Sequence, residues 1–209
     1  MSCKKDKTGI DLGYDYVPSN EGLSITYQVR DIFHDIALVP ANDTSYYQIK
    51  IEYGESFLDD AGGAVVKIRR FIREDSQAAW EVKDVWYTKN TGKRIEIIEE
   101  NRRLIDFVFA PGLDESWDAN ALNTLASKES KFLYVHEPFN VTKYSFDSTC
   151  TVGHQDFTSF VDYNKEYDVF AKGIGKVYSV LKELTIDNFD TLDIVKGIEI
   201  EYKMIDYSE

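Results

Sequence analysis

Alternation of apolar and polar positions with a period of two runs through most of the chain, the pattern of half-buried strands. Leu23, Ile25, Tyr27 and Val29 alternate with Ser24, Thr26, Gln28 and Arg30, which predicts a first strand with one wet face. A loop follows from His34 to Thr44, marked by Pro40 and Asn42-Asp43. Tyr47, Ile49, Ile51 and Tyr53 then form a second strand. After the turn at Asp59-Asp60-Ala61-Gly62-Gly63 comes a third, with Val66, Ile68, Phe71 and Ile72 and a change of face around Arg69-Arg70, as at a bulge. A fourth strand runs from Trp80 through Val82 and Asp84 to Trp86 and Tyr87. Ile95 and Ile97 mark the next, and Ile105, Phe107 and Phe109 the one after that. Strands joined by such short turns form an up-and-down antiparallel sheet.

From Leu113 to Ser130 the alternation lapses. Asp118 is placed to cap a short helix holding Ala119, Ala121, Leu122, Leu125 and Ala126, a loop being the other reading. Strands resume with Phe132, Tyr134 and His136, broken at Pro138, and then with Tyr144, Phe146, Ser148 and Cys150. Phe157, Ser159 and Val161 fit a short strand or a helical turn. Ile198, Ile200, Tyr202 and Met204 make the last strand. Between these, Glu166 to Leu184 reads as one long strand or two in succession, with Gly173 and Gly175 in the middle. Glycine inside a strand loses packing and costs backbone entropy, so this pair predicts a bend or bulge, or an aromatic ring laid over bare backbone. The expected fold is all-β: one curled antiparallel meander sheet, an open or half barrel of lipocalin-like form with a short helix. A two-sheet β-sandwich is the alternative.

Composition sharpens this. Aromatics reach 14% of the 209 residues, with 14 Tyr and 12 Phe, which suits pleated surfaces. The balance of 37 acidic against 24 basic residues gives a formal charge of −13, so no basic face is available for a phosphate backbone and no nucleic-acid partner is expected. No internal linker rich in Pro, Gly or Ser interrupts the pattern, which predicts one β domain over residues 14–209 behind a flexible tether at 1–13.

The tether carries the second signal. Ser2-Cys3-Lys4-Lys5-Asp6 resembles the end of a bacterial lipoprotein signal, a cysteine followed by a charged linker, although the hydrophobic segment before the cysteine is absent. The resemblance implies acyl chains on Cys3, each buried methylene contributing about 0.8 kcal/mol to membrane anchoring. Further along, three stretches occur in order: Asn101-Arg102 with Leu104, Phe107 and Phe109-Ala110-Pro111; Ser116-Trp117-Asp118-Ala119-Asn120; and Phe170-Ala171-Lys172-Gly173-Ile174-Gly175-Lys176-Val177-Tyr178. Together they resemble uncharacterised Bacteroidetes outer-membrane lipoproteins, with Ala119 in place of a glycine and Phe170 in place of a tyrosine. The resemblance implies a lipid-anchored protein of the cell envelope, on the periplasmic or surface face of the outer membrane, and a curled β domain. It implies no activity.

Catalytic and metal chemistry find little support. His34, His136 and His154 are widely spaced, and no pair of Cys or His residues stands at zinc-ligand spacing. Adjacent acidic pairs such as Asp59-Asp60 and Glu99-Glu100 point to opposite faces of an extended chain and suit solvated turns. Gly173-x-Gly175 lacks the third glycine and the helix of a dinucleotide fingerprint. Cys150, between two threonines, reads as a buried, inert thiol. No enzyme activity, cofactor or metal is therefore expected. The aromatics remain. Trp80, Trp86, Trp117 and Tyr178 are the candidates to line a ligand site in the concave face of roughly 8 to 10 curled strands, while the same residues also suffice to fill a core. Two functions follow as expectations: a non-enzymatic envelope lipoprotein that binds a hydrophobic or glycan-like small ligand, or an accessory subunit of a surface assembly with a protein partner.

Overall fold

The computed structural model describes residues 11–208. Twelve strands hydrogen-bond into one antiparallel sheet: β1 (Ser24–Asp35), β2 (Asn42–Leu58), β3 (Ala64–Arg73), β4 (Glu81–Asn90), β5 (Arg94–Glu99), β6 (Arg102–Val108), β7 (Ser116–Asp118), β8 (Glu129–Val141), β9 (Tyr144–Thr158), β10 (Asp162–Ala171), β11 (Gly175–Asp187) and β12 (Asp190–Ser208). The strand order is β6-β5-β4-β3-β2-β1-β12-β11-β10-β9-β8-β7. Chain start and chain end therefore pair in the middle of the sheet, and the sequence-adjacent β6 and β7 form its two edges. The sandwich alternative is excluded, since every strand belongs to this one sheet.

The sheet curls until its edges nearly meet. Ile105 N donates to Ala119 O (2.9 Å), Trp117 Nε1 donates to Ile105 O (3.0 Å), and Asn123 Nδ2 donates to Arg103 O (3.0 Å). These contacts occupy polar groups that an open sheet edge would leave unpaired. Alternation then decides what goes inside: Ile49, Ile51 and Tyr53 on β2, and Ile68 on β3, face the interior. One end of that interior is plugged by Tyr16, Phe107, Phe132 and Phe170, all buried, with Phe107 packed edge-on against both Phe132 and Phe170 at 5.2 Å.

Tyr16 comes from a short 3-10 helix, Tyr14–Tyr16, that precedes the sheet. The segment is docked: Gly173 N donates to Asp15 O, Ala110 N donates to Leu12 O, and Lys172 pairs with Asp11. The tether boundary expected at residue 13 thus falls inside a packed segment. Cys3 lies outside the described residues.

Two open alternatives are decided and one expectation is corrected. The helix after Asp118 is a loop, because Asp118 Oδ1 accepts from both Asn120 N and Lys128 N and so ties its two ends together. Of the two readings of Glu166 to Leu184, the structure takes the second, two strands in succession, and joins them as a hairpin. Ala171 pairs with Gly175, Gly173 sits in the turn at φ +79°, and Gly175 opens β11 at φ +103°, where side chains are disfavoured. Pro138 does not end β8, whose register with β9 slips at this point, and an irregular ladder accommodates a residue that cannot donate.

Candidate functional site

Inside the half barrel, next to the aromatic plug, lies a cavity of about 360 Å³. Its walls are apolar over the β2–β6 side, with Ile49, Ile51, Ile68, Ile97 and Leu104. Into them project Arg70, Glu99, Asp106, Asp168 and Lys176, and Lys128, His154, Glu166 and Ser179 add to the polar lining.

Local irregularities of the sheet deliver several of these groups. His154 is the extra residue where β9 slips against β10, since Glu166 pairs with Gln155 and Tyr167 with Gly153. Asp106 is the extra residue where β6 slips against β5, between Phe107 paired with Ile95 and Ile105 paired with Glu96. Lys176 is one of two residues that oppose a single step of β10, with Val177 beside it. A bulge places two consecutive side chains on one face, so it admits a charge where strict alternation would point it outward.

The charges form a chain across the interior. Lys176 Nζ lies 2.7 Å from Asp168 Oδ2 and 3.5 Å from Asp106 Oδ1. His154 Nε2 stands 3.1 Å from Asp168 Oδ2, and His154 Nδ1 is 2.7 Å from Ser130 Oγ. Burial alone would push Asp168 up, but the Lys176 ammonium and the His154 hydrogen bond hold its carboxyl well below the usual range. The reciprocal effect keeps Lys176 protonated: desolvation works against its charge, and Asp106 and Asp168 overcome it. Tyr53, also lining the cavity, is pushed up to about 12 by burial. Nearer the β5–β6 turn, Lys128 and Glu166 pair at 2.7 Å. Ser130, His154 and Asp168 share residue types with a nucleophilic triad. However, Ser130 is wholly buried between strands and does not face the cavity, so the chain braces the wall rather than presenting a hydroxyl.

Two lining groups differ from the rest. Arg70 is 93% buried, with its guanidinium carbon 3.7 Å from the Trp86 ring centroid. Among the described residues its hydrogen bonds run only from Nη1, to Asp84, and the buried Nε–H has no acceptor. Glu99 makes no hydrogen bond or ion pair among the described residues. Burial, opposed by Lys176 and Arg70, pushes its carboxyl up.

Of the aromatic residues singled out from the sequence, Trp86 lines the cavity. Trp80 stands on the outer face, where Lys50 and Arg73 lie over its ring at 5.1 and 4.2 Å. Trp117 packs on Phe132 and fastens the sheet edges. Tyr178 is also outward, between Phe139 and Tyr167, and its hydroxyl donates to Glu201. Cys150 is buried in the plug, its thiol pushed up to about 11 by desolvation. The sequence reading missed Arg70, Glu99, Asp106, Asp168 and Lys176. For two of them a signal existed: Arg70 falls in phase with Ile68 and Ile72, and Glu99 in phase with Ile95 and Ile97, which places a charge on an otherwise apolar face.

No protein-family model matches the chain, and no curated protein sequence matches it. Solved structures similar to it include the following two. One is a Bacteroides fragilis protein, inferred to be exported and assigned a YmcC-like fold. It superposes with a TM-score of 0.53 at 11% identity, over 92% of this chain and 98% of its own. The other is a Parabacteroides distasonis protein inferred to be a lipoprotein, with a TM-score of 0.45, 9% identity, and coverage of 92% and 98%. The first likeness establishes a shared fold: this chain has the curled, nearly closed all-β architecture of the Bacteroides fragilis protein.

Proposed function

We propose that the protein is a non-enzymatic, lipid-anchored protein of the cell envelope whose half barrel binds a small, glycan-like ligand. One observation carries the binding reading: the cavity combines an aliphatic wall and the Trp86 indole with charged groups of both signs. Its volume, about 360 Å³, falls in the lower part of the roughly 300–1,000 Å³ range of small-molecule sites. A purely apolar ligand would shut Glu99 away from water without a partner, at a cost of several kcal/mol for an unpaired charge, and would leave the Arg70 Nε–H without an acceptor. A ligand rich in hydroxyls would satisfy them, which favours the glycan-like class over the hydrophobic one. Anchoring rests on the resemblance of Ser2-Cys3-Lys4 to a lipoprotein junction. The docked segment at Asp11–Tyr16 would hold the plugged end of the barrel towards the membrane, since a tether leading from Cys3 joins the domain there.

Native mass spectrometry of the protein taken from its own membrane tests the reading. A co-purifying small molecule that is lost in Trp86→Ala supports it. An empty cavity with a stoichiometric protein attached refutes it. Cys3→Ser in the full precursor should release the protein from membranes, and retention would refute the anchor.

The second reading, an accessory subunit, is favoured by one surface. Ile36, Leu38 and Val39 of the β1–β2 loop, Phe160 of the β9–β10 loop, and Phe189 and Leu192 around the β11–β12 turn are all exposed. The loops adjoin, for Ile36 N donates to Val195 O, and the Phe160 and Phe189 rings meet at 5.4 Å. Clustered apolar loop tips of this kind mark contact surfaces. A stoichiometric partner lost in Val39→Asp would support this reading.

A further inference from the structure

Most charged groups of the cavity are matched. Lys176 has Asp168 and Asp106, and Lys128 has Glu166. Among the described residues Glu99 has no partner and Arg70 is matched only in part, through Nη1 to Asp84, so the two want opposite things. A guanidinium offers five N–H donors in a planar fork, and the Nε–Nη2 edge is one of those that grip a carboxylate at two points. Asp84 occupies Nη1 alone, from a position where its side chain is 31% exposed, and the buried Nε–H is left without an acceptor. An orphaned buried donor is costly, and its persistence asks for an explanation. Trp86 supplies part of one. The guanidinium stacks on the ring at 3.7 Å, and a stacked plane can slide along the ring towards the cavity without losing it. On β5, two strands from the β3 of Arg70, Glu99 also lines the cavity and among the described residues has no donor to accept from.

Resting on the binding reading above, we infer that the cavity takes a sugar bearing a carboxylate, with the carboxylate on Arg70 and ring hydroxyls donating to Glu99. The aliphatic wall of Ile51, Ile68 and Leu104 meets the sugar's C–H face. A neutral sugar offers the Arg70 Nε–H a hydroxyl acceptor but neither the charge nor the two-point grip of a carboxylate. A fatty acid would leave Glu99 facing hydrocarbon.

The test is isothermal titration of the full 209-residue chain with D-glucuronate and D-galacturonate, against D-glucose, D-galactose and hexanoate. The uronates should bind at least tenfold more tightly than the neutral sugars and hexanoate. Arg70→Lys, which keeps the charge but not the fork, should remove most of that preference while its thermal unfolding stays close to wild type. Trigalacturonate binding more tightly than galacturonate assigns the ligand to the end of an acidic polysaccharide, and equal binding assigns it to the free sugar. Neutral sugars that bind as well as the uronates overturn the inference and leave the glycan-binding reading standing. So does undiminished preference in Arg70→Lys, whereas hexanoate matching the uronates removes the sugar altogether. If no sugar binds and protein from its own membrane carries no small molecule, both fall together.

Discussion

Lys176 Nζ stands 2.7 Å from Asp168 Oδ2, joining β11 to β10 across the inner face of the hairpin they form. Asp168 is nearly buried, whereas about a third of the Lys176 side chain remains accessible from the cavity. Removing one member of a fully buried pair costs about 3–5 kcal/mol. Here the accessible ammonium can recover some solvation, so Asp168→Asn should cost about 2–3 kcal/mol in urea unfolding at pH 7. The sign of its pH dependence follows from the two shifts. The folded Asp168 carboxyl lies below its unfolded value, so its contribution is complete above about pH 4 and is lost as pH falls further. Lys176 is raised, so its contribution is complete below about pH 10.4 and is lost above that. The gap between wild type and Asp168→Asn should be flat between these limits and narrow below pH 4.

Trp117 fastens β7 to β6 through the bond from Nε1 to Ile105 O, beside the bond from Ile105 N to Ala119 O. Trp117→Phe keeps the ring against Phe132 and deletes the donor. The expected loss is about 1 kcal/mol, the usual worth of one such bond. The more telling measurement is hydrogen exchange. The Ile105 amide should lose protection while amides of the central β1–β12 pairing keep theirs. Equal acceleration at both would mean that edge and centre open as one unit.

Much of this architecture is visible in the alternation of the sequence, because strands with one buried face announce their phase. Ile49 and Ile51 on β2, and Ile25 and Tyr27 on β1, lie inside as their period requires. What escaped is what breaks the period. A bulge shifts parity by one, so His154 and Asp106 reach the interior from positions that simple alternation does not mark. Composition leaves Gly173 open between a bend in one long strand and a break between two, because Tyr167 to Val180 keeps strand-like residues throughout. Only the return pairing of Ala171 with Gly175 distinguishes reversal from curvature. Edge closure by Trp117 joins distant parts of the sheet's strand order, which no local pattern encodes. Residue type groups Trp80, Trp117 and Tyr178 with Trp86, but facing is set by register: Trp86 lines the cavity with Ile68, Trp117 packs into the plug against Phe132, and Trp80 and Tyr178 point outward.

The two glycines of the β10–β11 hairpin should respond differently. Gly173, at φ +79° with nothing within 4 Å of an added Cβ, has a left-handed backbone that asparagine also visits. Gly173→Asn should cost no more than about 1 kcal/mol. Gly175 has φ +103°, and an added Cβ would meet Ile25 and Pro18 only at 3.8 Å, so space is ample and the backbone angle is the obstacle. Gly175→Ala should cost about 1–3 kcal/mol, the usual strain of a side chain held in a sparsely populated region. Equal urea midpoints for the two variants would contradict this assignment.

Glu99 offers a prediction of opposite sign to Asp168. Burial raises its folded pKa, Asp106 and Glu100 add to the rise, and Lys176 and Arg70 oppose it. The native state therefore holds a proton that the unfolded chain, with its glutamate near pH 4.3, has already released. Stability consequently falls as pH rises from about 4.3 through the folded value, and the charged carboxylate remains a burden on the fold at neutral pH. Glu99→Gln preserves shape and acceptor while removing the charge. Its urea midpoint should exceed that of wild type at pH 7 and coincide with it at pH 3.5, where both side chains are neutral. If the carboxylate is instead well solvated within the cavity, the midpoints coincide at both pH values. A gain in stability from deleting a charge that has no partner would mark Glu99 as a group held for a ligand rather than for the fold, since sites that bind are where proteins keep unpaired polar groups at a cost to themselves.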